Sequence, residues 1–182
     1  MDDNCIVVWA TFITAVATFL GVGFSVWAIL SEKRISRLQK SVEILLKYNK
    51  DFDDNEMRLA RKRAALAIKT ARSNKTKEGM EEADDVLDFF ETIAMLVRRK
   101  AITDFYVWHS FFHWIHRYCL LSEDYVTSIR RKRGERARWK DLVWLYPRLM
   151  KIEKGEGCLS DADLKLSPQD LDEFIEDELK LG

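Results

Sequence analysis

EEADDVLDFFETIAMLVRRKAITDFYVWHSFFHWIHRYCLL (81–121) decides the fold class. Its first twenty residues open on acids and close on Arg98, Arg99 and Lys100, the order a helix dipole favours. Val86, Phe89, Phe90, Ile93 and Val97 recur at helical spacing. A short break at Ala101–Thr103 separates this helix from a second, over 104–121, that is apolar nearly all round and therefore expected at the centre of the core. Nothing downstream of the N-terminal apolar run alternates with period two, and only 7 Gly and 2 Pro are present, too few for the turns of an all-β fold. The expected class is all-α, in one domain for 182 residues.

Upstream, Asp53-Asp54-Asn55-Glu56 reads as a helix start before MRLARKRAALAIKTAR, which predicts a helix over 52–73 and a loop at SNKTKEG (73–79). Further back, IVVWATFITAVATFLGVGFSVWAIL (6–30) carries no charge over 25 residues. About 20 helical residues cross a bilayer core, so this run predicts a transmembrane helix, with Trp9 and Trp27 at headgroup level. A cleaved signal peptide fits less well. The N-terminus is acidic (Asp2, Asp3), and the small-residue triplet Ala15-Val16-Ala17 lies inside the run. Lys33, Arg34, Arg37 and Lys40 follow the span, which places the N-terminus outside and the C-terminus in the cytoplasm of a single-pass inner-membrane protein.

A stripe at heptad spacing runs out of this span: Ala10, Thr14, Ala17, Gly21 and Ala28 within it, then Ile35, Leu38, Val42 and Leu45 beyond it. Small residues let helices approach closely in lipid, and aliphatic ones form a coiled-coil seam in water. The stripe predicts a homo-oligomer. Ile44 and Leu46 widen the apolar face, which allows this linker helix to pack on its own domain instead.

Downstream, 123–151 reads as one or two further helices, broken at Gly134 and bent at Pro147. Lys154–Ser167 reads as a linker. Ser167-Pro168 is an N-cap and N1 proline opening an acidic helix over 168–180. The expected organisation is a short outer N-terminus (1–5), the span (6–30), an amphipathic linker helix (31–52), a cytoplasmic helical bundle (53–152) and an acidic linker and helix (153–182).

The formal net charge is zero, with 30 basic and 30 acidic residues, yet the charges are segregated. Residues 31–78 carry +7, 79–128 carry −5, 129–152 carry +7 and 153–182 carry −7, with −2 before residue 31. The basic run IRRKRGERARWK (129–140), with Arg130, Arg131, Lys132, Arg133, Arg136 and Arg138, can meet the anionic inner leaflet, the acidic tail 170–178, or nucleic acid. No recognised nucleic-acid motif surrounds it. The three cysteines, Cys5, Cys119 and Cys158, form neither a disulfide framework nor a CxxC unit.

His109, His113 and His116 stand at i, i+4 and i+7, with Cys119 a turn later, a spacing that can present imidazoles to a metal. No HExxH motif or carboxylate accompanies them, and in a helix dense in Phe and Trp a structural role is the expectation, with no metal and no cofactor. Glu91, on an apolar helix, is expected to pair with Arg98 or Arg99 and hold two helices together. There is no P-loop, no GxGxxG and no GxSxG, and no Arg stands at the spacing that the Arg-x4–6-His motif of helical HEPN-type RNases requires. No catalytic residue is assigned.

The segment 85–119 resembles the core of the bacterial "domain of unknown function 4760" family. The resemblance rests on Asp88, Phe89, Phe90 and Glu91, then Leu96, Arg98 and Arg99, then Trp108, Phe112, Trp114 and Tyr118. With the MRLARKRAALA run and the N-terminal anchor it covers about residues 1–121. It implies a membrane-anchored protein with a cytoplasmic helical domain and carries no activity. The expectation is a self-associating, non-enzymatic interaction protein. By analogy with small anchored effectors of phage defence, its oligomers would perturb the membrane. The alternatives are a metal-dependent enzyme built on the histidines and a tethered nucleic-acid binder.

Overall fold

The computed structural model describes residues 24, 25, 27, 32, 35, 36, 38–132, 134–156 and 164–181. The chain divides into two units, Met1–Lys40 and Ser41–Gly182. In the first, the described residues are helical, and Phe24, Trp27, Ile35 and Leu38 are all exposed. Most of the uncharged run 6–30 lies outside the described residues, as do Ala10, Thr14, Ala17, Gly21 and Ala28 of the stripe. Among the described residues no helix is long and apolar enough to cross a membrane.

The second unit is all-helical, with no strand among its described residues. Its elements are α1 (41–52), α2 (Asn55–Asn74), a 3-10 turn (Met80–Ala83), α3 (Asp84–Arg98), α4 (Asp104–Arg131), α5 (Lys140–Glu156) and α6 (Pro168–Leu179). α2 packs against α6, while α3 and α4 both pack against α5. The fully buried side chains come from every layer: Ile68 of α2, Leu87, Phe90 and Ile93 of α3, Phe111 and Ile115 of α4, Leu145 and Leu149 of α5 and Ile175 of α6.

The turns follow from local chemistry. Lys75 takes a left-handed conformation at the end of α2, and the Thr76 N–H reaches back to the Ala71 carbonyl. Lys100 does the same after α3, with Ala101 N–H donating to Leu96 O. The Thr103 hydroxyl caps α4 by accepting from the Tyr106 N–H. Ser167 opens α6 with a reciprocal capping box shared with Asp170, followed by Pro168, as its sequence predicts.

Three sequence expectations are corrected. The helix starting at 104 does not stop at 121 but runs 28 residues to Arg131, about 42 Å at 1.5 Å per residue. Ser122 is fully buried and its hydroxyl donates to the Tyr118 carbonyl one turn back, so the polar side chain is satisfied inside the continuing helix. Secondly, the helix expected over 52–73 begins at Asn55, because Phe52 closes α1 and inserts into the core at 2% exposure. Thirdly, the presumed linker 154–167 is helical as far as Glu156, and Leu164 is buried. The break at Gly134 stands where expected, outside any helix, and Pro147 lies inside α5.

The stripe divides along its length. Val42 is exposed, but Leu45 is half-buried against the core and Phe52, seven residues on, is enclosed by Phe89, Phe90, Phe111 and Trp114 at centroid distances of 5.1–5.7 Å. Ile44, Leu45, Tyr48 and Phe52 of α1 thus pack on their own domain, whereas Val42 and Leu46 stay exposed.

Candidate functional site

An acidic ladder on α3 holds residues 138–142 in place. Asp84, Asp88 and Glu91 share one face at i, i+4 and i+7. Asp84 accepts from Arg138 Nη2 at 2.6 Å and from the Tyr125 hydroxyl at 2.9 Å. Burial raises the Asp84 carboxyl pKa, opposed by those two partners. Asp88 accepts from Trp139 Nε1 at 2.7 Å. Trp139 is 1% exposed and has φ +51°, a left-handed conformation costly for a large side chain. Its buried ring and this hydrogen bond hold it there.

Glu91 acts differently from its expected role. Its two carboxylate oxygens accept the backbone N–H groups of Asp141 and Leu142, at 3.2 and 2.7 Å. No Ser, Thr, Asp or Asn immediately precedes α5, so a carboxylate from α3 caps its N-terminus from across the interface. Arg98 pairs instead with Asp141 at 2.5 Å. The buried ion pair sits elsewhere, between Arg61 of α2 and Glu178 of α6. It is bidentate at 2.7 and 2.5 Å, with both side chains 5% exposed. Tyr118 donates its hydroxyl to the same carboxylate at 2.9 Å, and the guanidinium lies 4.2 Å from the Phe52 ring centroid. Burial, then the nearby carboxylate, pushes the Tyr118 phenol well up.

The histidines divide as well. His109 and His113 are exposed, whereas His116 is 3% exposed. His116 Nε2 lies 3.1 Å from the Leu164 carbonyl, which can only accept, so Nε2 is assigned the proton and donates. Nδ1 then accepts from the Tyr146 hydroxyl at 2.8 Å. The ring stacks on Phe112 at 5.3 Å. Both nitrogens are thus engaged by protein groups. Burial holds the imidazole pKa below its ordinary value, with Arg117 acting the same way and Leu164 and Glu153 opposing. Among the described residues no group of three or more His, Cys, Asp or Glu could hold a metal ion. Cys119 is a free thiol, and burial pushes its pKa up to about 12, far from the range of a reactive cysteine.

Next to this histidine lies a cavity of about 710 Å³, between the C-terminal half of α4 and the first half of α5, with Leu87 of α3 also in its lining. Leu120, Val126, Leu142 and Val143 give it aliphatic walls, and Arg130, Arg131 and Arg136 stand at one end. Pro147 also lines it and has no N–H to offer the Val143 carbonyl one turn back.

The basic run 129–140 is therefore split. Arg138 is bonded to α3 and stacks over Trp139, while Arg130, Arg131 and Arg136 face the cavity. Lys132 is exposed, and Arg133 lies outside the described residues. Among the described residues no ion pair joins the acidic tail 170–178 to this run. α6 lies on α2, where Lys69 meets Glu176 at 2.5 Å and Arg72 meets Asp172 at 3.0 Å. Of the nine stripe residues, Ile35, Leu38, Val42 and Leu45 are described; within the second unit Leu45 packs against the core and Val42 is exposed.

Sequence reasoning missed the Arg61–Glu178 pair, the transferred cap and the cavity. Only the first left a signal: the +7 of 31–78 against the −7 of 153–182. No curated relative and no solved structure matches the chain at a significant level. The family model described as Domain of unknown function (DUF4760) matches residues 15–149, from within the uncharged run through α3 and α4 into α5, and leaves α6 outside. It takes in the acidic ladder, the histidines, the cavity walls and the aromatic cluster, and the chain belongs to that family.

Proposed function

We propose that this protein is a single-pass membrane-tethered module whose helical unit lies in the cytoplasm and self-associates through its N-terminal stripe. One observation carries the reading: 25 residues without a charge, 6–30, bounded by two acids before and by Lys33, Arg34, Arg37 and Lys40 after. The exposed Phe24 and Trp27 support it, since large apolar groups on a helix surface call for a cover, and lipid is one. Exposed Ile35, Leu38 and Val42 support a seam outside the bilayer. Action on the membrane itself, as in an anchored effector, is the form of this function that oligomers within the bilayer favour.

The test is fractionation of cells making the full chain. The protein is expected in the membrane pellet after a carbonate wash. Leu20→Arg puts a charge near the centre of the span, at a cost of about 2.5–3.5 kcal/mol, and is expected to move much of the chain to the supernatant. Recovery of the unsubstituted chain in the supernatant contradicts the proposal.

A further inference from the structure

We propose that the cavity between α4 and α5 binds a single-chain amphiphile with a phosphate head, the chain lying among the aliphatic walls and the head at the arginines. The cavity's lining is divided in chemistry between aliphatic side chains and arginines. Leu120, Val126, Leu142 and Val143 offer nothing to a polar ligand, while about 710 Å³ is the size of a small-molecule site. Among the described residues, the three guanidinium groups of Arg130, Arg131 and Arg136, which line the cavity, have no carboxylate partner. Neighbouring Arg138, by contrast, is paired with Asp84.

Arginine's planar fork suits a phosphate, and three forks around one opening favour a doubly charged head. Glu123 also lines the cavity and would repel an anion beside it. It stands seven residues before Arg130 on α4, about 10.5 Å along the axis, toward the Cys119 end where the chain would lie.

The aliphatic lining also separates this ligand from a nucleotide. A base is commonly held by stacking on an open aromatic face. Tyr146 is the sole aromatic residue in the lining. Its ring is already stacked with His116 at 5.8 Å, and its hydroxyl bonds to the same imidazole. An alkyl chain needs no such face. The cavity lies wholly within residues 87–147, so the inference stands whether or not the N-terminal run enters a bilayer.

The experiment is a calorimetric titration of octyl phosphate, below its micelle concentration, into the full chain held in amphipol. Thr127→Trp and Val143→Trp, at exposed positions on opposite walls, fill the cavity and serve as blanks in the same amphipol. Helical circular dichroism and melting temperature check that both stay folded. Saturable binding at one per chain is expected, abolished in either tryptophan variant and weakened at least tenfold by Arg130→Ala with Arg136→Ala. Inorganic phosphate and octyl maltoside are expected to bind at least a hundredfold more weakly. Absence of saturable binding, or equal heats from the tryptophan variants, overturns the proposal. Inorganic phosphate binding as tightly would reduce the site to an anion patch, and adenosine monophosphate binding as tightly would make it a nucleotide site; either overturns it as well.

Discussion

Arg61 and Glu178 form a buried ion pair that ties α2 to α6. Each is a buried charge with one partner of opposite sign, and Tyr118 completes the carboxylate's hydrogen bonding. Removing one member leaves an uncompensated charge in a low-dielectric interior, which costs about 3–5 kcal/mol. Glu178→Gln is expected to lower the urea midpoint of the full chain accordingly. Arg61→Met with Glu178→Leu is expected to recover most of that loss. Equal stability of Glu178→Gln and the parent would show that the pair is not buried.

His116 gives the unit a pH dependence. Its folded pKa lies below the ordinary value near 6.5, so the unfolded chain binds the proton first as pH falls. Its contribution is present above 6.5 and is lost as pH drops through 6.5 toward the folded value. His116→Gln can keep both hydrogen bonds and cannot titrate. The decline in unfolding free energy between pH 7.5 and 5.5 is expected to be shallower in this variant. Residue types and spacing showed the histidine row but not its division, because which of three residues on one face is enclosed depends on Tyr146 and Leu164, 30 and 48 positions away.

At the level of elements, α3 is the organiser. Its periodic apolar residues were readable as a core face, and Val86, Phe90 and Ile93 are fully buried. The polar face was not readable, because acids at i, i+4 and i+7 look the same whether they face solvent or cap another helix. Glu91→Ala should free two N–H groups at the start of α5, at about 1.5–3 kcal/mol for hydrogen bonds to a charged acceptor. Glu91→Gln, which keeps an acceptor, should cost less. Hydrogen exchange of the Asp141 and Leu142 amides is the direct readout, and unchanged protection in Glu91→Ala would contradict the cap. The false stop at 121 has a similar origin: the burial of Ser122 inside a continuing helix, with its hydroxyl on the Tyr118 carbonyl, is not visible in the sequence.

For the whole molecule, part of the charge segregation resolves into packing. The basic α2 receives the acidic α6, and Arg138 at the end of the second basic block meets the acidic α3. Leu38→Lys together with Ala17→Leu and Gly21→Leu is expected to reduce the crosslinked oligomer in membranes several-fold. An unchanged ladder would remove the stripe from the account. The tether is tested most directly by Cys5, one residue before the uncharged run, against Cys158, in the acidic segment. In intact cells making single-cysteine variants of the full chain, a membrane-impermeant maleimide is expected to label Cys5 and to reach Cys158 only after permeabilisation. Labelling of Cys158 in intact cells, or protection of Cys5 until lysis, would contradict the single outward-facing N-terminal span.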